Sequence, residues 1–169
     1  MLQKAIPAFG ARQKTIYFTV LMAIAIAAPY FGNQFVTGPV VNATLLIAVA
    51  LLGTREALLI AIFPSIIALA TGTLPLPLAP QIPFIIGGNA LFIAVFSLFK
   101  TRNYWLGAVT GSLVKFGFLF GTSTIITSLI LNQTLAAKVS YILGWPQLVT
   151  ALAGSIIAYT FLRLVKAEN

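Results

Sequence analysis

Six long apolar segments, joined by short connections, dominate this sequence and limit what it can fold into. Most of them approach the roughly 20 residues that a helix needs to cross the hydrocarbon core of a bilayer. They predict an all-α integral membrane protein, a bundle of six transmembrane helices in a single domain over residues 1–169. The predicted spans cover, approximately, residues 15–31, 37–53, 56–74, 82–99, 104–131 and 141–162.

The composition also indicates a membrane protein. Hydrophobic residues make up 60% of the chain and charged residues 7%, whereas soluble domains carry about 25% charged residues. Histidine and cysteine are absent, which removes the commonest metal ligands and the commonest general base, and the only acids are Glu56 and Glu168. The G-x-x-x-x-G-K-[ST] loop that binds ATP phosphates is also missing. We therefore expect no enzyme activity, no metal site and no cofactor in this chain.

Basic residues fall almost entirely on one side of the predicted membrane. Only Lys138 lies in a connection on the other side, and Lys115 lies inside the fifth span. The positive-inside rule then places both termini in the cytoplasm. The net charge of +8 comes from residues that flank membrane spans, so no nucleic-acid partner is predicted. The residues on the cytoplasmic side are Lys4, Arg12, Lys14, Arg55, Lys100, Arg102, Arg163 and Lys166.

The connections on the opposite side carry little charge and are rich in glycine and proline. They include FGNQFVTGP at 31–39 and TLPLPLAPQIP at 73–83. Four prolines stiffen the second of these into an extended segment. Two interpretations remain open: the segment rests on the bilayer surface as a linker, or it covers a water-excluding cavity as a lid.

The three spans that run from outside to inside begin in the same way. Proline is favoured in the first turn of a helix, and each of these spans is predicted to start with one: Pro39, Pro83 and Pro146. The partial positive charge at such helix starts attracts anions. The polar side chains that follow either contribute to a substrate site or hydrogen-bond between helices as structural contacts. They are Asn42, Asn89 and Gln147.

Lys115 lies near the middle of the fifth span, roughly 16 Å from its start at about 1.5 Å per residue. A lysine in hydrocarbon costs about 2.5–3.5 kcal/mol on the insertion scale, and no acid lies within the membrane. The ammonium is either satisfied by carbonyl and amide oxygens or neutralised by a bound anion. We favour the anion, which predicts a substrate with a carboxylate and an apolar body. The same helical face carries residues that could line a cavity, namely Gly111, Ser112, Leu119 and Thr122.

Three apolar runs accompany the six short spans and the missing ATPase motif: TGPVVNATLLIAVALLG (37–53), LPLAPQIPFIIGGNALF (76–92) and GWPQLVTALAG (144–154). In these features nearly the whole chain resembles the substrate-binding S component of energy-coupling factor (ECF) transporters. The resemblance implies a multi-pass protein of a prokaryotic plasma membrane that binds a vitamin or similar micronutrient from outside. It also implies association with a transmembrane T component and two cytoplasmic ATPases that drive transport.

The first helix of that family carries an A-x-x-x-A motif that packs on the T component, and Ala23 and Ala27 match it here. Small residues four positions apart let another helix approach closely. The same spacing recurs elsewhere in the chain, for example at Gly107 and Gly111. The assignment of Ala23 and Ala27 to a partner interface therefore depends on their position in the first span.

The residues predicted to bind substrate are Asn42, Asn89, Lys115, Trp145 and Gln147. Trp145 could stack on a planar ligand or anchor the chain at the outer membrane interface. The lack of acids argues against a cationic substrate. Two alternatives to an S component remain: a small autonomous facilitator or channel, and a membrane scaffold subunit without cargo.

Overall fold

The computed structural model describes residues 9–130, 139 and 141–167. These ranges contain six α-helices and no strand, which confirms the all-α prediction. The predicted end of the fifth span and the charged residues Lys4, Lys138 and Glu168 lie outside the described residues. The helices are α1 (Ala11–Ala27), α2 (Gln34–Leu51), α3 (Thr54–Ala70), α4 (Ile82–Phe99), α5 (Tyr104–Ile130) and α6 (Trp145–Ala167).

Five segments of the described chain are long and apolar enough to cross a membrane, and they indicate a membrane-embedded protein. The exception among the six helices is α3, whose 17 residues span about 25 Å at 1.5 Å per residue. This is less than the roughly 30 Å of the hydrocarbon core. The number of crossings and the orientation of the termini therefore stay predictions. The five segments are Ala11–Phe31, Gln34–Leu51, Leu78–Phe99, Tyr104–Ile126 and Tyr141–Lys166.

The turn between α2 and α3 lies where the sequence predicts it. Helix α2 ends at Leu51 and α3 begins at Thr54. Between them Gly53 has a φ of 123°, a conformation that residues with a Cβ rarely adopt. The glycine therefore allows the chain to reverse within two residues, which keeps α2 and α3 as separate helices.

The connections define two ends of the bundle. Arg55, Lys100 and Arg102 lie at one end, which we call the basic end. Segments 28–33, 71–81 and 141–144 lie at the other, which we call the proline-rich end. Helices α1, α3 and α5 run toward the proline-rich end, and α2, α4 and α6 run back. Helix α2 is central, because every residue from Val41 to Val49 is buried.

Two of the three predicted proline starts are confirmed. Pro83 and Pro146 are the second residues of α4 and α6. The start predicted for the second span is wrong, because α2 begins at Gln34 and Pro39 lies inside it. The side chain of Asn33 caps this earlier start, with its Oδ1 accepting a hydrogen bond of 2.8 Å from the backbone N–H of Phe35. Such a cap satisfies one of the free N–H groups of a helix start.

Helices α2 and α6 pack closely through glycine. A methyl group at Gly154 on α6 would lie 2.7 Å from Cβ of Asn42 and 2.7 Å from the carbonyl oxygen of Pro39, both on α2. A methyl group at Gly38 would lie 2.7 Å from Cβ of Thr150. Small residues that allow this approach are a common basis of helix association in membranes.

Helices α4 and α5 form a second close pair. A methyl group at Gly88 would lie 3.0 Å from Cγ of Leu119, and one at Gly111 would lie 3.0 Å from a ring carbon of Phe92. The spacing of Gly107 and Gly111 thus serves packing inside this chain rather than a partner helix. Both pairs contribute side chains to the candidate site.

Candidate functional site

A cavity of about 500 Å³ lies at the proline-rich end of the bundle. All three connections at that end contribute to its wall, among them Gly32, Leu74 and Ile142. The proline-rich segment lines it with Leu74, Pro75 and Leu78, which is the arrangement that the lid interpretation predicts. The cavity reaches inward to residues near the middle of α2, α4 and α5.

Lys115 lines this cavity although its side chain is only 3% exposed. Its Nζ donates a hydrogen bond of 2.6 Å to Oδ1 of Asn42 and one of 2.7 Å to Oδ1 of Asn89. The ammonium also lies 5.6 Å from the ring centroid of Phe92, within the range of a cation–π contact. Three of the predicted site residues therefore meet at one point, which we call the lysine–amide cluster (Lys115, Asn42 and Asn89).

Close helix packing places the members of this cluster. On α5, Gly111 packs against Phe92 one turn before Lys115, and Leu119 packs against Gly88 one turn after it. These contacts hold Lys115 opposite Asn89, the neighbour of Gly88. On the other side, Gly154 of α6 lies directly behind Asn42 and supports its backbone.

The predicted cavity-lining face around Lys115 is wrong. Gly111, Ser112 and Leu119 lie between packed helices and are buried. The Ser112 hydroxyl donates to the carbonyl of Ala108 at 2.7 Å in its own helix, and Thr122 bonds back to Phe118 in the same way. Most of the cavity wall comes instead from α2, α3 and the connections. On α5 only Lys115 lines it among the described residues, because α4 and α5 approach closely at Gly88 and Gly111.

Hydrogen bonding to Lys115 fixes the orientation of the two asparagine amide groups in the cluster. A lysine ammonium has three donors and no acceptor, and two of its donors are used by the amides. Each asparagine must therefore turn its oxygen toward Lys115 and its NH2 group away. In the described part of the chain, the only fully enclosed side-chain N or O atoms without a partner belong to Gln81. Both NH2 groups therefore keep a small accessible area, and both asparagines line the cavity although they are only 1% and 3% exposed.

No carboxylate accompanies the ammonium. Glu56, the one acid among the described residues, lies in the first turn of α3 at the basic end. Lys115 is also the single charged residue that lines the cavity within the described ranges. A buried charge without a counter-ion is costly, and two amide oxygens reduce this cost without cancelling the charge.

Gln147, a further predicted site residue, lines the cavity nearer its mouth. Its Nε2 donates to the carbonyl of Ile142 at 3.4 Å, and Nε2 of Gln34 donates to the same carbonyl at 2.7 Å. Gln34 lines the cavity too but was not predicted. The Asn-Gln pair at 33–34 is a helix-start signal that could have pointed to it.

Trp145 lies outside the cavity lining and is 50% exposed. Its ring centroid is 5.9 Å from that of Phe35 and 5.7 Å from that of Tyr141, and both of these residues line the cavity. The tryptophan therefore supports the rim from outside. Contact between Trp145 and a ligand stays a prediction.

Helix α3 supplies a wall that sequence analysis missed. Pro64, Ser65 and Ala68 line the cavity, and all three are buried. They recur at the spacing of one helical face. Small side chains at this spacing in α3 are the signal that could have identified them.

The two alanines of the predicted partner motif lie on the outer face of α1. Ala23 and Ala27 are exposed, whereas the intervening Ala25 is buried. Their position leaves room for another helix. Partner binding by this face stays a prediction.

The described residues contain no group of three histidine, cysteine, aspartate or glutamate side chains that could hold a metal ion. Comparison of the chain with protein-family models, with curated proteins and with solved structures gives no match.

Proposed function

We propose that this protein is the substrate-specificity subunit of an ECF-type importer. It binds a small organic micronutrient with an anionic group, in the cavity at the proline-rich end, and that end faces the outside of the cell. The observation that carries this proposal is the buried Lys115, which lines a cavity of about 500 Å³ without a counter-ion among the described residues.

The cavity has the properties of a small-molecule site. Ligand pockets in proteins are typically about 300–1,000 Å³, mostly apolar, and contain a few convergent polar groups. Here the accessible wall is mostly apolar, and three of its polar side chains meet at the lysine–amide cluster. Ionisable residues inside a membrane are costly and most often functional, which favours a role for Lys115 beyond packing.

The chain offers no means of driving transport by itself. Its spans carry no acid or histidine that could move protons, and its sequence lacks an ATP-binding loop. Energy would come from two cytoplasmic ATPases that act through a transmembrane T component. The exposed Ala23 and Ala27 on α1 provide a surface that such a helix could approach closely.

Reconstitution in liposomes tests this function. The purified chain is compared with the same chain co-purified with its T component and ATPases, and uptake of the metabolite that native mass spectrometry finds bound to it is measured. We expect uptake only with the partners and only with ATP inside. Uptake by the chain alone would identify a facilitator, and a protein with no bound metabolite and no uptake would identify a scaffold subunit.

A further inference from the structure

We infer that the lysine–amide cluster is a receptor for a single carboxylate group attached to an apolar body. The inference rests on the proposed function in so far as the cavity is a substrate site, and it adds the charge and the chemical class of the substrate. Four properties of the described residues lead to it: donor orientation, charge count, wall composition and depth.

The cluster holds its hydrogen-bond donors in a defined orientation. Because the Lys115 ammonium can only donate, it holds the oxygens of Asn42 and Asn89 at 2.6 and 2.7 Å and leaves their NH2 groups for other partners. The third N–H of Lys115 has no acceptor among the described residues. The inner part of the cavity therefore presents N–H donors from three side chains, and the oxygens of the same side chains are already occupied.

A carboxylate matches this set of donors. It has two oxygens with about four lone-pair sites and no hydrogen to donate, and hydrogen bonds from an ammonium to a carboxylate are among the strongest in proteins. An amine or an alcohol would bring hydrogens that find no free acceptor in the cluster. Unpaired polar groups in a buried site are the main source of strong discrimination between ligands.

The charge count limits the ligand to one negative charge. Lys115 is the single ionisable cation in the described lining, and no acid lines the cavity. A monocarboxylate brings the local charge to zero, whereas a phosphate or dicarboxylate leaves an uncompensated negative charge in a low-dielectric site. A cation would add to the existing positive charge.

The wall beyond the cluster selects the rest of the molecule. Toward the mouth, apolar side chains that include Val41, Pro64, Leu78 and Ile85 make up most of the wall, and Gln34, Ser65 and Gln147 also line it. The hydroxyls of Thr37 and Thr73 also line it, but they already donate within the protein, to the carbonyls of Ala28 and Ala68. An apolar body fits this wall, and the carboxylate enters first because the cluster lies deepest.

Matched probe molecules test the chemical class directly, whatever the natural substrate is. The full-length protein in detergent is titrated with acetate, benzoate and 3-phenylpropanoate, and thermal unfolding is followed. The amide, amine and phosphate counterparts of the aromatic acids serve as comparisons. We expect stabilisation that rises with acid concentration and none from the other probes. Equal stabilisation by an amide or amine, or no stabilisation by any of the three acids, would overturn the inference.

Asn89→Asp provides the sharpest variant. The substitution changes shape very little but places a carboxylate 2.7 Å from Lys115 in place of the amide oxygen, so the charge is neutralised internally. We expect the variant to fold and to lose affinity for the acids by about tenfold or more, which corresponds to ~1.4 kcal/mol. Lys115→Met should lose a similar amount, and Lys14→Met, which removes an exposed lysine, should lose none.

Retention of acid affinity in Asn89→Asp would refute the carboxylate receptor. The outcomes also separate this inference from the proposed function. Acid binding without any ATP-driven uptake would leave the receptor standing and refute the importer subunit. ATP-driven uptake of a cargo that lacks a carboxylate would refute the carboxylate receptor and leave the importer subunit standing.

Discussion

Lys115 on α5 donates a hydrogen bond of 2.6 Å to Oδ1 of Asn42 on α2, which lies 73 positions earlier in the sequence. A second bond from the same Nζ reaches Asn89 on α4 at 2.7 Å. Helices α4 and α5 form one closely packed pair, and α2 and α6 form the other, so the ammonium joins the two pairs in the interior. The two amides supply the hydrogen bonds that solvate this charge within the described structure.

Removal of one amide should destabilise the fold. We expect Asn42→Leu to lower the free energy of unfolding by about 1–3 kcal/mol, because it leaves a buried ammonium with one acceptor fewer. Reversible unfolding in mixed micelles measures the change. The double variant with Lys115→Met should lose less than the sum of the two single variants, since the charge that needs the amide is gone. Strict additivity would contradict the coupling.

The addition of a single methyl group at Gly154 should destabilise the protein. A methyl group there would meet Cβ of Asn42 at 2.7 Å, the Pro39 carbonyl at 2.7 Å and the Ala43 nitrogen at 2.9 Å. Two of these are backbone atoms, so a rotamer change cannot relieve the contact. Gly154→Ala should therefore cost about 1–3 kcal/mol of stability and weaken binding of the acid probes, because Asn42 moves away from Lys115.

Gly117→Ala is the matched control for this substitution. Gly117 lies in α5, and a methyl group there would have no atom within 4 Å. We expect unchanged affinity for the acids and an unchanged or higher stability, by up to about 1 kcal/mol, since alanine favours a helix more than glycine does. Similar losses in both variants would show that the contact with Asn42 is not the cause.

Replacement of Gln81 by an apolar residue should stabilise the protein. Its side chain is 1% exposed, and neither its Nε2 nor its Oε1 has a hydrogen-bond partner among the described residues. Burial of unpaired polar atoms costs about 1–3 kcal/mol, and methionine has a similar shape without strong polar groups. Gln81→Met and Gln81→Leu should both raise the midpoint of thermal unfolding. A lower midpoint in both variants would indicate that Gln81 has a partner in the membrane.

If the proposed function holds, bulky residues on the outer face of α1 should impair assembly with the T component but not the fold or ligand binding. Ala23→Trp and Ala27→Trp place bulky side chains at exposed positions, so binding of the acid probes should not change. Co-purification with the T component should fall, because a bulky residue prevents close helix approach. Ala94→Trp on α4, also at an exposed position, is the control. Normal complex formation by both α1 variants would remove this face from the partner interface.

Each of the six helices overlaps a predicted span, but most helix ends differ from the predicted ones by two to five residues. The predicted limits of α4 agree with the structure, and the start of α5 at Tyr104 is confirmed. Helix α4 is bounded by local signals, a proline in its first turn and a basic residue after its last one, and the side chain of Asn103 caps the start of α5. The start of α2 was missed because the proline at 39 outweighed a weaker signal, the cap at Asn33. A cap depends on backbone geometry, and many asparagines outside helices share its sequence signature.

The candidate site was predictable in its chemistry but only partly in its geometry. Asn42, Asn89, Lys115 and Gln147 all line the cavity, whereas Trp145 supports the rim from outside. The face of α5 around Lys115 was predicted to line the cavity and is instead packed against α4. Helical spacing indicates which residues share a face, but it does not indicate whether that face meets a cavity or a glycine of the next helix.

The sequence by itself determined that the chain forms apolar helices and that one of them carries a lysine without an intramembrane acid. Both properties are local: they follow from runs of side chains and from the residues that the chain lacks. Only the tertiary structure decided that Lys115 meets Asn42 and Asn89 at the inner end of a cavity. That meeting depends on how closely helices approach at Gly88, Gly111 and Gly154, and contacts between residues far apart in the chain have no local signature.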